Sequence, residues 1–372
     1  MSGGADRRVT LAERAQYVAA RLLGRMPPRV QLALSGGAPV VIDGETLEPQ
    51  IQLVRAVRSR RHQCGYCEPT PAAGRARLRR ETLVFRGPRT EVGAVHDFAV
   101  ERDAGDGGGS LRLRHYAPSE QSDTLLVYLH GGGCVVGDLD THDEPCRILC
   151  RYAGVQVLAV DYRLAPEHPF PAALLDGRTA FRWALENAPW YGVSRVALGG
   201  DSAGGTIAAV LSQAEVRDGA APAAQLLIYP AADAVTPRPS HELFSDGLFL
   251  SREDRADFFR HYLEATGTPR DDPRVSPLLA PDLRGLPPAL VVTAGFDILR
   301  DEGEAYADAM RAAGVTVASY RLPGLVHGFV NMTGVSPATR EAMVRIAKDF
   351  RELLDRTRTA NPVISSTESC QP

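Results

Sequence analysis

The sequence predicts an α/β fold in which a mostly parallel central sheet is covered by helices on both faces. Short apolar runs alternate with helix-length segments over most of the chain, and unbroken apolar runs are typical of strands buried on both faces of a parallel sheet. The predicted strands are residues 124–129, 155–160, 195–198, 225–229, 289–293 and 316–320. A length of 372 residues with 44% hydrophobic side chains suffices for one such domain with a smaller addition.

An antiparallel hairpin is expected before these strands. Residues 95–100 and 111–116 have strand patterns, and the glycines at 107–109 favour a turn between them. The α/β domain is therefore expected to span residues 93–356. The tail at 357–372 has no apolar period and is expected to be disordered.

Two further segments are predicted to be helical and to lie outside the sheet. Apolar side chains recur at helical spacing within residues 1–92, which predicts an N-terminal helical extension. Residues 231–287 are too long for a simple crossover between two strands, and they include a helical pattern at 252–263. An insertion of this size at the carboxyl ends of the strands is usually a lid over an active site.

The charge of the chain excludes some classes of partner. A net charge of -3 gives no reason to expect nucleic acid, and the arginines at 55–61 and 75–80 are expected to form solvated faces. No apolar run reaches the roughly 18 residues of a membrane span, and the first residues lack the apolar core of a signal peptide. We therefore expect a cytoplasmic protein without stable membrane insertion.

The six cysteines are expected to be thiols, because their spacing shows no disulfide framework. Cys64 and Cys67 form a C-x-x-C pattern, but only the isolated His62 lies near them in sequence. A structural zinc site needs four ligands. The sequence therefore predicts no metal site, and the role of this pair stays open.

Residues 200–204, with the sequence GDSAG, form the pattern of a nucleophile elbow. They follow the predicted strand 195–198 and precede a small-residue helical pattern, so that Ser202 stands at a sharp turn between a strand and a helix. The glycines at 200 and 204 are expected because side chains there would clash with neighbouring chain segments. The helix dipole and the free amide of Ala203 favour negative charge on a reacting carbonyl oxygen.

A second glycine motif follows the predicted strand 124–129. It consists of His130 and three glycines at 131–133, whose amides are free to point at an anion. A strand that ends in such glycines, about seventy residues before a G-x-S-x-G elbow, is the layout expected of an oxyanion hole.

A serine nucleophile needs a histidine base that is oriented by a carboxylate. Of the histidines after Ser202, His241 and His261 fall in the predicted lid, whereas His327 follows the last strand through a loop, and we predict His327 as the base. Asp297 lies just beyond the strand 289–293 and is the predicted acid.

Three other carboxylates near these motifs are alternatives to Asp297 as the acid. Asp301 and Glu302 lie where acidic residues commonly favour a helix N-terminus, so a structural role is expected for them. Asp201 is expected to act through its field or a hydrogen bond, because adjacent side chains on a tight turn point in different directions.

With these motifs the chain resembles bacterial carboxylesterases of the hormone-sensitive lipase family of α/β hydrolases. The resemblance covers about residues 95–355 and includes the stretch DYRLAPEHPFPA at 161–172. It implies an α/β-hydrolase fold, a cap formed by the N-terminal helices and the insertion, and a homodimer paired through the last strand and helix.

The resemblance also implies roles for the predicted site residues. Ser202, Asp297 and His327 would form the catalytic triad, and no cofactor would be needed. The implied oxyanion hole consists of the amides of Gly132, Gly133 and Ala203, with His130 and Gly131 as structural support of the glycine loop.

One position departs from the family pattern. Cys134 stands after the three glycines, where the family usually has an aromatic residue lining the pocket. A cysteine behaves as a small hydrophobe, so we expect a wider pocket there or one filled from the N-terminal extension.

The resulting prediction is a serine esterase or lipase that hydrolyses short- to medium-chain carboxylic esters through an acyl-enzyme. The alternatives are a deacetylase or amidase of a specific acylated metabolite, and a non-catalytic ligand-binding protein on the same scaffold. The intact Ser202, Asp297 and His327 argue against the last of these.

Overall fold

The computed structural model describes residues 22, 24, 26–60, 66–103, 105, 107–246 and 248–360. Within them the N-terminal segment begins with helix α1 (Pro28–Leu34), followed by a short hairpin of β1 (Val41–Ile42) and β2 (Glu45–Thr46). Helices α2 (Pro49–Arg60) and α3 (Pro71–Phe85) complete the segment. Residues 1–21 of the predicted extension lie outside the described residues.

The β1–β2 hairpin corrects the prediction of a purely helical extension. Its turn is made by Asp43 and Gly44, whose φ angles are 55° and 77°. Two successive positive φ angles are required by the tight turn that Asp-Gly favours between two strands. The pattern VIDGET therefore carried a hairpin signal in the sequence itself.

An eight-stranded sheet occupies the centre of the molecule, in the order β10-β9-β8-β7-β5-β6-β4-β3. The strands are β3 (Ala94–Glu101), β4 (Ser110–Ala117), β5 (Thr124–Leu129), β6 (Gln156–Val160), β7 (Arg195–Asp201), β8 (Gln225–Ile228), β9 (Ala289–Phe296) and β10 (Val317–Val326). The strand β4 runs antiparallel to both β3 and β6, and the remaining pairs are parallel. The predicted hairpin and parallel strands are confirmed.

Helices cover both faces of this sheet, as the unbroken apolar strands predicted. After α3 they are α4 (Asp143–Ala153), α5 (Ala172–Asn187), α6 (Ala203–Arg217), α7 (Pro239–Leu243), α8 (Arg252–Leu263), α9 (Arg300–Ala312) and α10 (Pro337–Ala360). The helices α4 and α10 share one apolar core with alternate residues of β5 such as Leu126 and Tyr128. The helices α5, α6 and α9 share the other core with Leu125 and Val127. Because β5 is buried along its whole length, the carboxyl ends of the central strands are held in fixed positions.

The insertion at 231–287 contains α7 and α8. At its start, the amide of Leu278 donates to the carbonyl of Ala232 at 3.0 Å. The helix α8 also contacts the N-terminal segment, because the amide of Tyr66 donates to Asp254 Oδ1 at 2.7 Å. The extension and the insertion therefore meet next to the glycine loop, where Phe258 of α8 contacts Gly133.

The last helix runs further than the sequence predicted. It continues through residues 357–360, which were expected to be disordered, while residues 361–372 lie outside the described residues. The buried Leu353 and Leu354 anchor this end, and Thr357 Oγ1 donates to the Leu354 carbonyl at 2.9 Å. Among the described residues, no helix combines the length and the apolar composition that crossing a membrane requires.

Candidate active site

The predicted elbow forms where β7 turns sharply into α6. Ser202 stands at this turn, directly before the first residue of α6. Its backbone angles are φ 53° and ψ -125°, which residues other than glycine rarely adopt. A Cβ atom at position 200 or 204 would overlap the carbonyl oxygen of Leu129 on the neighbouring strand β5. The expected steric need for these two glycines is thereby confirmed.

A continuous series of hydrogen bonds joins the predicted nucleophile, base and acid. Ser202 Oγ lies 2.9 Å from His327 Nε2, and His327 Nδ1 lies 2.7 Å from Asp297 Oδ2. The carboxylate of Asp297 is buried, and its other oxygen accepts from the Leu299 amide at 2.8 Å. Because a carboxylate accepts hydrogen bonds, it favours a proton on Nδ1 and leaves Nε2 free to accept from a hydroxyl.

These three side chains meet because two neighbouring parallel strands end at the same edge of the sheet. Asp297 directly follows β9, and His327 directly follows β10. Ser202 directly follows β7, which is separated from β9 only by β8. The sheet order therefore brings together residues that are 125 and 30 positions apart in the chain.

Three of the competing candidates, His241, Asp301 and Glu302, lie apart from the triad. His241 Nε2 lies 3.0 Å from Glu302 Oε2, and the same oxygen accepts from Arg255 at 2.8 Å. Asp301 accepts from the Ser240 amide at 2.8 Å. Both acidic residues belong to the first turn of α9, as expected, but their main contacts are with the insertion. Sequence reasoning missed this cluster, whose members are far apart in the chain.

The glycine loop carries unoccupied backbone donors next to Ser202. Gly132 and Gly133 have φ angles of 120° and 62°, which favour glycine. A Cβ atom at Gly132 would overlap the Val136 carbonyl. Within the described part of the chain, the amides of Gly132, Gly133 and Ala203 donate to no other protein group. All three residues border a cavity that contains Ser202.

His130 is buried and contacts the glycine loop from within the protein. Its Nδ1 lies 2.8 Å from the Gly131 carbonyl, to which it donates, and its ring stacks on Tyr162 with centroids 4.1 Å apart. Burial and the neighbouring His142 lower the pKa of His130 to about 4. His130 is therefore neutral near pH 7.

Asp201 provides a second support for the loop, by a hydrogen bond as the sequence suggested. Its Oδ1 accepts from the Gly131 amide at 3.0 Å and from the Tyr128 hydroxyl at 2.8 Å, and His142 Nε2 lies 3.3 Å away. Burial would raise the pKa of Asp201, but His142 and Tyr128 outweigh it and hold the pKa below its usual value. Sequence reasoning did not find His142 and Tyr128, because their contribution depends on packing.

Two cavities meet at Ser202. The larger is lined mainly by apolar side chains of α5, α6 and the insertion. The smaller is bordered by Ser202, His327, Asn331 and the glycine loop. The buried Cys134 lines the larger cavity together with Tyr262 of α8. Among the described residues, the side chains that line this cavity with Cys134 belong to the insertion and to the α/β domain, and none belongs to the N-terminal extension.

The described residues contain no group of three or more histidine, cysteine or acidic side chains that could hold a metal ion. Cys67 is a buried thiol, while Cys64 and His62 lie outside the described residues.

Comparison with known proteins places this geometry in a family. A family model described as alpha/beta hydrolase fold matches residues 126–331. The chain is 44% identical to a carboxylic ester hydrolase, LipN, of Mycobacterium tuberculosis, with 85% of each chain covered. It is 37% identical to an ethyl acetate hydrolase of Pseudomonas putida, over 83% of this chain and 98% of that protein.

A solved structure extends the similarity to three dimensions. An ester hydrolase from the metagenome of Lake Arreo, in complex with a bipyridine phosphonate derivative, has a TM-score of 0.78 and 39% identity, covering 82% of this chain and 98% of that one. The predicted fold and the predicted family are confirmed. The chain belongs to the hormone-sensitive lipase family of α/β-hydrolase-fold proteins and is a carboxylic ester hydrolase.

Proposed function

We propose that this enzyme is a serine carboxylesterase that hydrolyses short- to medium-chain esters through Ser202, His327 and Asp297. The observation that carries the proposal is the hydrogen-bonded series from Ser202 Oγ through His327 to Asp297, at the junction of two cavities. The relative named ethyl acetate hydrolase supports a small ester as substrate.

The first half of the reaction transfers the acyl group to the enzyme. His327 Nε2 takes the proton of Ser202 as Oγ forms a bond to the ester carbonyl carbon. The carbonyl oxygen becomes an oxyanion, which the amides of Gly132, Gly133 and Ala203 stabilise. When the bond to the alcohol oxygen breaks, His327 gives its proton to that oxygen, and the alcohol leaves.

The second half repeats these steps with water. His327 removes a proton from water, whose oxygen attacks the acyl carbon. The bond between the acyl carbon and Ser202 Oγ then breaks, His327 returns the proton to Oγ, and the carboxylic acid leaves. Asp297 keeps the imidazole oriented and stabilises its protonated form in both halves.

The two cavities have different roles in this proposal. The leaving alcohol oxygen must come within reach of His327 Nε2 to receive the proton. The smaller cavity, which His327 borders, is therefore assigned to the alcohol group. The larger cavity is assigned to the acyl chain, which suits its apolar lining of Leu174, Ile207, Phe259 and Val275.

The test is hydrolysis of p-nitrophenyl esters from acetate to palmitate by the wild type and by Ser202→Ala. We expect the highest kcat/KM with short or medium acyl chains and a loss of at least about 10⁴-fold in the variant. Ser194→Ala, at the opposite end of β7 and exposed, is the matched control and should retain activity. Wild-type activity that survives Ser202→Ala would contradict the assignment of the nucleophile.

The same assay separates the alternative functions. Faster turnover of a matched amide than of its ester would favour a deacetylase or amidase. A wild type that hydrolyses no ester and that a fluorophosphonate probe does not label would favour a binding protein.

We also propose that two copies pair through β10 and α10. The strand β10 is the last strand of the described sheet and has a strand neighbour, β9, on one side, and an edge strand can pair with another strand. Sedimentation of the purified protein at the mass of a monomer, at micromolar concentration, would contradict this proposal.

A further inference from the structure

Phe258 of α8 is one of the few side chains that border both cavities at Ser202. The residues that the two cavities share are Ser202, Leu250 and Phe258. Of the shared side chains, only Phe258 presents an aromatic ring. It therefore lies at the junction where the proposed acyl and alcohol groups of an ester would diverge.

We propose that the Phe258 ring forms a wall between the two cavities and limits which acyl and alcohol groups fit in them. Phe258 would then be a specificity-determining residue. The inference rests on the proposed function, because it uses the assignment of the larger cavity to the acyl chain and of the smaller one to the alcohol. It adds that the Phe258 ring limits the size of both groups at this junction.

The ring is seated directly on the glycine loop. A Cβ atom placed on Gly133 would overlap three carbon atoms of the Phe258 ring, so the ring packs against the Cα atom of this glycine. The positive φ of Gly133 and this close approach both favour glycine at the position. The Gly133 amide is a proposed oxyanion donor. Because the Phe258 ring packs on the same glycine, its position is fixed relative to the reacting carbonyl.

Contacts from the N-terminal segment also hold this region of α8. The Tyr66 ring stacks near Phe258, with centroids 6.2 Å apart and an interplanar angle of 24°. The amide of Tyr66 donates to Asp254 Oδ1, one turn before Phe258 on α8. Asp254 also accepts at its Oδ2 from Ser251 Oγ at 2.7 Å, within the N-terminal cap of the helix. The ring is thus packed against Gly133 and lies beside the Tyr66 ring.

Removing the ring should join the two cavities. Bulky groups on either side of the scissile bond would then gain space, whereas the smallest esters would lose a contact that orients them. A change confined to the acyl cavity would instead affect only the acyl group. Phe259, the next residue on α8, borders the larger cavity and not the smaller one, so it offers a matched substitution.

The experiment compares Phe258→Ala with Phe259→Ala in two substrate series. One series varies the acyl group of p-nitrophenyl esters from acetate to the branched pivalate, and the other varies the alcohol of acetate esters from ethyl to tert-butyl. For Phe258→Ala we expect the ratio of kcat/KM for bulky over small esters to rise about tenfold or more in both series. For Phe259→Ala we expect a rise in the acyl series alone.

A Phe258→Ala variant that is folded and changes selectivity in one series only, or in neither, would overturn the proposal. Because Phe258→Ala leaves a large gap, Phe258→Leu is measured beside it and should shift both ratios in the same direction by a smaller factor. Folding is checked by the thermal midpoint of each variant. The proposed function fails separately, if Ser202→Ala keeps its ester turnover or if the wild type has none.

Discussion

Asp201 Oδ1 accepts a hydrogen bond from the Gly131 amide at 3.0 Å, which joins the residue before the proposed nucleophile to the start of the glycine loop. The elbow and the loop come from different strands, β7 and β5, which are neighbours in the sheet. The relative position of the elbow and the loop decides whether the oxygen of an ester carbonyl lies near the loop amides when its carbon lies at Ser202 Oγ. A buried carboxylate that takes no part in the proton relay therefore sets the geometry of both.

Asp201→Asn should slow the chemical step more than it weakens substrate binding. The substitution removes the charge that His142, Tyr128 and the Gly131 amide all face, so the loop is expected to shift relative to Ser202. Small displacements of catalytic groups cost one to two orders of magnitude in rate, and we expect kcat to fall about tenfold or more with KM changed less. Steady-state kinetics on p-nitrophenyl butyrate measures both constants.

Asp282→Asn is the control for this substitution. Asp282 is exposed, pairs with Arg284 and lines neither of the two cavities at Ser202, so its variant should match the wild type. An Asp201→Asn enzyme with unchanged kcat, or with a defect in KM alone, would show that the carboxylate does not position the loop.

Gly204→Ala should destabilise the fold, because its Cβ atom would meet the carbonyl oxygens of Leu129 and His130. These are backbone atoms at the end of a central strand, which cannot move aside as the tip of a side chain can. We expect a loss of about 3 kcal/mol in the free energy of unfolding, the upper range for overpacking. Gly105→Ala, where a Cβ atom meets nothing within 4 Å, is the control. Equal urea-unfolding midpoints for the two variants would contradict the steric argument.

The sequence predicted the elements whose signals are local. Unbroken apolar runs located the strands, and strand order then placed Asp297 and His327 at one edge, because both directly follow neighbouring strands. The Asp43-Gly44 turn is also a local signal, but the helical spacing of apolar residues on both sides of it favoured a helical extension instead. In contrast, the positions of Phe258 and Tyr66 result from packing between segments almost two hundred residues apart, and no periodicity encodes such contacts.

Glu302→Gln should loosen the insertion from the α/β domain. The Glu302 side chain is fully buried, and its Oε2 accepts from Arg255 of α8 at 2.8 Å, while its Oε1 accepts from the Ala232 amide at 3.0 Å. Removing one partner of a buried ion pair leaves the other charge uncompensated, which costs about 3 kcal/mol or more. We expect a lower free energy of unfolding and faster proteolytic cleavage within residues 231–287.

The chain offers a matched control, an exposed ion pair whose arginine lies on the same helix, α8, as Arg255. Arg252 of α8 pairs with Glu242 at 2.7 Å, but these two side chains are 57% and 77% exposed. Exposed pairs contribute about 0.5 kcal/mol or less, so Glu242→Gln should change neither measurement appreciably. If both variants behave alike, the buried pair does not anchor the insertion.

The Cys134 thiol should be inert to alkylation in the folded enzyme. Its side chain is 3% exposed, and burial raises its pKa to about 12. At pH 8 only about one thiol in 10⁴ would then be the reactive thiolate, against roughly a quarter for an unperturbed cysteine. Mass spectrometry of the Cys134 peptide after iodoacetamide treatment should show labelling at least about 100-fold slower in the native enzyme than in guanidinium chloride. Because the side chain lines the larger cavity, which is proposed to hold the acyl chain, bound substrate should slow the native reaction further. Rapid labelling of native Cys134 at pH 8 would contradict the prediction. It would mean that α8 moves away from Cys134 readily on the timescale of the assay.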